Sequence, residues 1–308
     1  MPRNLSGIFT PLLVPYNTHG GIDEEELRRL VRWLIDKDVH GLYPNGSTGE
    51  FTRLTRDERQ RVVQITCEVA RGRVPVLAGA GEANVSETLT ACETYAKYGA
   101  RAAAIISPYY YRIGVESVYA YFAEIAANSP IDVILYNIPM FASPIDLPTI
   151  RRLAELPRII GIKDATGDIA FMMRMISFVR PVRPDFTFLT GWDPVLVPML
   201  RIGCDGGTLA CSNAIPETMV RIFHLHRAGD SDEAMRLQYR MLPLFDTMLG
   251  HFEFPDGFRA ATELRGFSFG HVRQPMTARQ KKERIAQKEA LRTMLTDLGV
   301  AELVALSD

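Results

Sequence analysis

The sequence predicts an α/β fold, a (β/α)8 barrel followed by a C-terminal helical extension. Short apolar runs of strand length alternate with longer segments of helical periodicity from about residue 7 to about residue 226. Several runs, such as VILY and IIGI, are apolar on both faces, which is typical of parallel strands covered by helices. Eight such units within 308 residues favour a closed barrel, and a doubly wound open sheet is the alternative.

Eight runs have the length and composition of strands, and they begin at Gly7, Gly41, Val74, Ala102, Asp132, Ile159, Phe186 and Cys204. Segments with the apolar spacing of amphipathic helices follow the first four strands, at 23–37, 56–70, 85–99 and 116–127. Weaker helical patterns follow Leu147, Asp168, Asp193 and Pro216. The sequence therefore predicts a helix after every strand.

From about Asp230 the pattern is helical only, in segments 232–249, 256–265 and 277–298. Because no Gly/Ser-rich or Pro-rich linker precedes these helices, we expect them to pack on the barrel. The predicted organisation is one domain over residues 1–308, with the barrel in 1–226 and the helices in 227–308.

Charge and composition exclude several classes of partner and site. The chain has 35 basic and 36 acidic residues, without the basic excess that nucleic acids or anionic membranes require. No segment reaches the roughly 18 uninterrupted apolar residues of a membrane span. The four cysteines lack CxxC spacing, and the histidines lack partners at metal-ligand spacing. We expect a cytoplasmic protein with reduced thiols and no metal.

One lysine stands apart from the other five. Lys163 ends an apolar strand, whereas the others lie on predicted helix faces, at Lys37, Lys97, Lys281, Lys282 and Lys288. Active sites of (β/α)8 barrels are built at the C-terminal ends of the strands. Burial there disfavours the ammonium form, so Lys163 would carry a free amine able to attack a carbonyl. The alternative is a lysine paired with a carboxylate such as Asp164.

Three other strand ends carry polar or aromatic side chains. Tyr136 precedes Asn137 and could transfer protons, although a packed aromatic residue is the alternative. The loop 45–50 has the sequence NGSTGE, which could bind a carboxylate or could be a simple turn. The segment 107–111, SPYYY, places three tyrosines at the barrel mouth, where they could also form an interface.

The motifs GSTGE, SPYYY, YNIP and GIKDATGD occur in this order, each at a strand end. Together they closely resemble the dihydrodipicolinate synthase / N-acetylneuraminate lyase family, and the resemblance extends from FTPLLVPYNTHGGID to QPMT. It implies a (β/α)8 barrel with C-terminal helices that binds pyruvate or another 2-oxo acid as a Schiff base. A family member of this kind needs no metal or organic cofactor.

The resemblance also assigns roles to residues of this chain. It implies that Lys163 forms the Schiff base and that Tyr136 relays protons to and from the bound substrate. Ser47 and Thr48 match the family's hydroxyl pair, and Thr48 with the adjoining backbone N–H groups would bind the pyruvyl carboxylate. The backbone at Thr208 would line the pyruvyl pocket.

Tyr110 resembles the tyrosine that a neighbouring subunit inserts to complete the hydroxyl relay. The family expectation is therefore a homo-oligomer, a dimer of dimers, in which the catalytic set is Lys163, Tyr136, Thr48, Ser47 and Tyr110.

The chain departs from both best-known members of the family. Phe141 occupies the position where dihydrodipicolinate synthases have an arginine that grips the aldehyde's carboxylate. Where sialic-acid lyases have a threonine, a glutamate and a serine, this chain has Ala165, Pro194 and Ala210. Phe141 in the substrate pocket predicts an acceptor that is less anionic at that end or is held elsewhere.

The expected function is a Schiff-base carbon–carbon or carbon–oxygen lyase that cleaves or dehydrates a 2-oxo-3-deoxy sugar acid, with pyruvate and an aldehyde as small-molecule partners. One alternative is a 4-hydroxy-tetrahydrodipicolinate (dihydrodipicolinate) synthase that condenses pyruvate with aspartate semialdehyde. Another is a catalytically silent barrel that only binds a 2-oxo acid.

Overall fold

The computed structural model describes residues 5–270 and 272–304. Within them eight parallel strands form one sheet in the order β2-β1-β8-β7-β6-β5-β4-β3, which confirms the predicted (β/α)8 barrel. A parallel bridge between Leu42 and Val76 joins the two ends of this order and closes the ring. The ends of the predicted domain, residues 1–4 and 305–308, lie outside the described residues.

The strands are β1 Gly7–Pro11, β2 Gly41–Tyr43, β3 Leu77–Gly79, β4 Ala102–Ile106, β5 Asp132–Asn137, β6 Ile159–Asp164, β7 Thr187–Thr190 and β8 Gly206–Thr208. The barrel helices are α1 Glu24–Asp36, α2 Arg56–Ala70, α3 Val85–Lys97, α4 Val115–Asn128, α5 Leu147–Leu153, α6 Ile169–Val179, α7 Leu196–Arg201 and α8 Pro216–Arg227. The C-terminal helices are α9 Ser231–Gly250, α10 Asp256–Glu263 and α11 Ala278–Asp297.

Side-chain caps fix where several helices begin. The Asp23 carboxylate accepts a hydrogen bond from the Glu26 N–H at the start of α1, at 3.0 Å. At the start of α2, Thr55 and Glu58 form a reciprocal capping box. These caps satisfy backbone N–H groups that an isolated helix leaves unpaired, so each helix starts at a defined point after its strand.

Alternate residues of the strands point into the barrel, where they form a small core of their own. Phe9, Leu77, Ile134 and Leu189 belong to this interior, and each is buried. The intervening strand residues, such as Leu135, pack against the surrounding helices instead. Side chains of the described strands therefore fill the interior of the barrel.

The C-terminal helices pack against the barrel and reach its mouth. Helix α9 contacts α7 and α8, and Phe245 of α9 and Phe258 of α10 line the cavity at the C-terminal ends of the strands. In the described part of the chain, no helix is long and apolar enough to cross a membrane. No group of three or more potential metal ligands occurs among the described residues. Cys92, Cys204 and Cys211 are buried free thiols, and Cys67 is half-buried.

Candidate active site

Lys163 and Tyr136 lie side by side at the mouth of the barrel. The parallel register of β5 and β6 pairs Tyr136 with Lys163, so both side chains point into the barrel at the same height. The Lys163 Nζ atom lies 4.0 Å from the centre of the Tyr136 ring and 4.8 Å from that of Tyr43. Lys163 and Tyr136 are buried, with 5% and 4% of their respective surfaces exposed. The amine is therefore enclosed by two aromatic rings.

This enclosure changes the protonation of Lys163. Loss of hydration on burial lowers the pKa of its amine to about 7, and the negative charge of Asp193 opposes this shift. No carboxylate of the described residues forms an ion pair with Lys163. The alternative that Lys163 pairs with Asp164 is wrong, because consecutive strand residues point to opposite faces. The Asp164 carboxylate instead accepts hydrogen bonds from Asn137 at 2.7 Å and from Thr166 at 2.5 Å.

Tyr136 is connected to the loop that follows β2. Its hydroxyl lies 3.4 Å from the Ser47 Oγ atom, and either oxygen can be the donor. Burial raises the pKa of Tyr136 to about 12, and the contact with Ser47 lowers it in part. Tyr136 is therefore a neutral phenol near pH 7, with its proton directed to a hydroxyl partner or to a substrate.

Two left-handed residues shape this loop. Asn45 and Glu50 have φ angles of 58° and 54°, which only a few per cent of non-glycine residues adopt. The Asn45 side chain donates to the Arg59 carbonyl oxygen at 2.9 Å. The Glu50 carboxylate binds both Arg53 and the buried Arg259 of α10. These contacts hold both ends of the loop, so the hydroxyls between them stay at the mouth.

A cavity of about 110 Å³ lies between these elements. Every predicted pocket residue of this chain lines it: Ser47, Thr48, Tyr136, Phe141, Lys163 and Thr208. The Thr208 hydroxyl is buried without a hydrogen-bond partner among the described residues. Ala165 and Ala210, two of the three sites of departure from sialic-acid lyases, also line the cavity.

Tyr110 lies outside this cavity. Its side chain is 87% exposed and packs edge-to-face on Tyr111, with ring centres 4.9 Å apart. Its backbone is left-handed, with a φ angle of 72°. The predicted role of Tyr110 in a neighbouring subunit's site requires an exposed side chain of this kind.

Three residues of the site have no role in the sequence-based prediction. Tyr43 covers the Lys163 amine, Asp193 carries a buried carboxylate that influences it, and Gly191 lies against its side chain. The Asp193 oxygens accept hydrogen bonds from the backbone N–H groups of Cys211 at 2.8 Å and Ala210 at 3.2 Å. Gly191 lies near the C-terminal end of a predicted strand and Asp193 directly follows that strand, so the barrel rule applied to every strand end would have included both. Tyr43 lies in the middle of the predicted second strand, which in the structure ends at Tyr43.

Gly191 leaves the space that the Lys163 side chain occupies. A Cβ atom at this position would lie 2.8 Å from the Lys163 Cε atom and 2.9 Å from the Ala165 Cβ atom. We expect Gly191→Ala to displace the amine and lower kcat by roughly 100-fold, since misplacing a reacting group by about 1 Å has that effect. Steady-state kinetics test this, with Gly114→Ala as the control because a Cβ atom there meets no other atom within 4 Å. Equal kcat values for the two variants would refute this role.

The lowered pKa of Lys163 predicts a pH profile. Below about pH 7 the amine is protonated and cannot attack a carbonyl, so imine formation should slow about tenfold per pH unit. Above about pH 7 the amine is neutral and the rate should level off. The pH dependence of kcat/KM for the 2-oxo acid measures this pKa in the free enzyme. A limb centred near the ordinary lysine pKa of about 10.4 would contradict a desolvated amine.

Known proteins share this sequence and geometry. The family model described as the dihydrodipicolinate synthetase family matches residues 4–294. A 4-hydroxy-tetrahydrodipicolinate synthase from Methanopyrus kandleri is 34% identical over 97% of this chain and 98% of its own length. An uncharacterized DapA-like lyase from Halobacterium salinarum is 30% identical over 97% of this chain and 96% of its own length.

Among solved structures, the Escherichia coli K12 prophage protein YagE, crystallised with pyruvate, superposes with a TM-score of 0.89 at 29% identity. The alignment covers 96% of this chain and 99% of YagE. The chain therefore belongs to the dihydrodipicolinate synthetase family and is a lyase of the class I aldolase type, which acts on pyruvate through a lysine Schiff base.

Proposed function

We propose that this enzyme cleaves or dehydrates a 2-oxo-3-deoxy sugar acid through an imine on Lys163. The observation that carries the proposal is the desolvated Lys163 amine beside Tyr136, in a cavity with an uncharged outer end. Lys163 is the only cationic side chain among the described residues that line this cavity. A substrate that is anionic at its 2-oxo acid end and neutral at its other end fits this distribution of charged and uncharged side chains in the cavity.

The reaction begins with the neutral Lys163 amine. It attacks C2 of the 2-oxo acid, and loss of water from the carbinolamine leaves a protonated imine. The C3–C4 bond then breaks, its electron pair forms the C2–C3 double bond of an enamine, and the imine π electrons move to nitrogen. The imine serves as the electron sink, so this chemistry requires no metal or organic cofactor.

Tyr136 moves the proton that this cleavage releases. As C4 becomes an aldehyde, Tyr136 accepts the proton of the C4 hydroxyl and passes its own proton to Ser47, 3.4 Å away, and Ser47 in turn releases its own hydroxyl proton toward the barrel mouth. The relay then runs in reverse and protonates C3 of the enamine. Water hydrolyses the resulting pyruvyl imine to pyruvate and the free amine. In dehydration, C3 of the imine loses a proton and the hydroxyl leaves C4 as water.

The loop after β2 is the proposed carboxylate site. Thr48 is buried at the cavity, and the Thr208 hydroxyl is buried there without a hydrogen-bond partner among the described residues. A buried hydroxyl without a partner carries a free-energy cost that a bound carboxylate can remove. These two hydroxyls and the loop N–H groups support binding of the 2-oxo acid end next to Lys163.

The second candidate is 4-hydroxy-tetrahydrodipicolinate synthase, the name of the Methanopyrus relative. Its aldehyde substrate, aspartate semialdehyde, carries a carboxylate of its own. Phe141 supplies no charge for that group, and the only cationic side chain among the described residues that line the cavity is Lys163, which forms the imine. The synthase would therefore need a cation from outside this cavity.

A panel of substrates separates the two candidates. Pyruvate release is measured from 2-oxo-3-deoxy sugar acids, and pyruvate consumption is measured with uncharged sugar aldehydes and with aspartate semialdehyde. We expect kcat/KM for the uncharged aldehydes to exceed that for aspartate semialdehyde at least tenfold. A preference for aspartate semialdehyde would overturn the sugar-acid proposal in favour of the synthase.

We also propose that the enzyme works as a cytoplasmic homo-oligomer, a dimer of dimers in which Tyr110 completes a neighbour's proton relay. The exposure of Tyr110 and Tyr111 supports an interface at this loop, and the free cysteines support a reducing compartment. Tyr110→Phe should lower kcat roughly 100-fold, since it removes one relay hydroxyl, and should leave pyruvate imine formation intact. An unchanged kcat, or a monomer in analytical ultracentrifugation, would refute the shared relay.

A further inference from the structure

The cavity that holds Lys163 has two chemically different halves. The inner half contains Lys163 and all but one of the other side chains that can form strong hydrogen bonds, namely Ser47, Thr48, Tyr136, Asp193 and Thr208. The outer half is formed by aromatic and aliphatic side chains from the loops after β5 and β7, from α9 and α10, and from the segment between these two helices: Met140, Phe141, Trp192, Phe245, Leu249, Phe254 and Phe258. We call the five rings among these the aromatic wall.

The aromatic wall is continuous. The ring centres of Trp192 and Phe245 lie 5.5 Å apart, and those of Phe245 and Phe258 lie 6.2 Å apart. Phe254 follows at 6.0 Å from Phe258, and Phe141 at 6.4 Å from Phe254. Three of these four pairs are edge-to-face, a favourable arrangement of aromatic rings, and the Phe141–Phe254 pair is tilted. The wall therefore extends from the end of β7 to the loop after β5 as a chain of neighbouring rings.

The substrate's position determines which of its atoms meet this wall. C2 is bonded to Lys163, and C4 must lie near Tyr136 for the proton transfer proposed above. The carbons beyond C4 must then extend into the outer half. The described residues of this half offer the Trp192 indole N–H as their only side-chain hydrogen-bonding group. A terminal hydroxyl would exchange water for apolar rings, whereas a methyl group would gain by the same transfer.

We propose that the sugar acid is deoxygenated at its far end, so that its aldehyde fragment terminates in a methyl or other apolar group. This inference rests on the proposed function and narrows its substrate class. Hydroxyls nearer C4 remain compatible with the polar inner half of the cavity.

Two three-carbon aldehydes test this directly, because lactaldehyde and glyceraldehyde differ only in a hydroxyl on the terminal carbon. In condensation with pyruvate, we expect kcat/KM for lactaldehyde to exceed that for glyceraldehyde by roughly 10- to 100-fold, the usual discrimination by an apolar pocket. Leu249→Gln introduces an amide into the outer half and should reduce this ratio at least fivefold.

Leu225→Gln is the matched control, since Leu225 is also a half-buried helical leucine but lies away from the cavity. It should leave the ratio of the two aldehydes unchanged. If glyceraldehyde reacts as well as lactaldehyde, or neither reacts, the inference is overturned. Glyceraldehyde turnover above that of aspartate semialdehyde would leave the sugar-acid proposal standing, whereas a preference for aspartate semialdehyde would remove both.

Discussion

Lys163→Met should abolish turnover, with a loss of roughly 10⁴-fold or more, because no other described side chain in the cavity can form the imine. Methionine has a similar length and fills the space between the Tyr43 and Tyr136 rings without a charge. The variant should therefore fold as well as the wild type, since it replaces an amine whose ionised form is penalised by burial. Pyruvate release, together with a thermal melt, separates loss of chemistry from loss of structure.

Lys97→Met is the control for this variant, because Lys97 is an exposed residue in the last turn of α3. It should retain wild-type turnover. Residual activity above about one per cent in Lys163→Met would show that another group carries the reaction.

Arg259→Met should destabilise the barrel by roughly 3–5 kcal/mol, the usual cost of removing one partner from a buried ion pair. Arg259 of α10 is 1% exposed, binds the Glu50 carboxylate, and donates to the Val14 carbonyl oxygen at 3.1 Å. Its guanidinium also lies 5.4 Å from the centre of the Tyr16 ring. Without it, Glu50 keeps only the partly exposed Arg53 as an ionic partner among the described residues. The expected result is a Tm lower by on the order of 10 °C.

The matched control is Arg279→Met, which breaks an exposed pair with Glu283 on α11. This variant should melt at the wild-type temperature, because solvent screens exposed pairs. A second variant, Glu50→Leu combined with Arg259→Met, should melt above Arg259→Met alone, since it also removes the buried carboxylate that has lost its buried partner. If Arg259→Met has the same Tm as the wild type, the buried ion pair does not stabilise the contact between α10 and the loop after β2.

Local pattern was sufficient to predict the barrel and the position of Lys163. Parallel strands covered by helices have near-continuous apolar runs, and the C-terminal end of such a strand can only face the mouth. Element boundaries were less accurate. The apolar residues after Pro11 predict a longer first strand, but β1 ends at Pro11. The Leu13 N–H donates to the Asn213 side chain instead, at 3.2 Å. Leu13 is buried in a loop, and apolar character alone does not distinguish such a loop from a strand.

Contacts between distant parts of the chain could not be predicted from one sequence. Glu50 and Arg259 are separated by 209 residues, and any of 35 basic and 36 acidic side chains could have been paired. The aromatic wall could not be predicted for the same reason. Phe245 and Phe258 lie on the apolar faces of helices, where the sequence predicts ordinary core residues. Only the packing of α9 and α10 over the barrel mouth brings these rings to the cavity.

The central claim is that the Lys163 amine forms an imine with a 2-oxo acid. Its most direct test is borohydride reduction of the intact enzyme in the presence of pyruvate, followed by peptide mass spectrometry. We expect one reduced pyruvyl group on the peptide that contains Lys163, and none on that peptide in Lys163→Met. An adduct on another lysine, or turnover by the wild type without any reducible adduct, would contradict it.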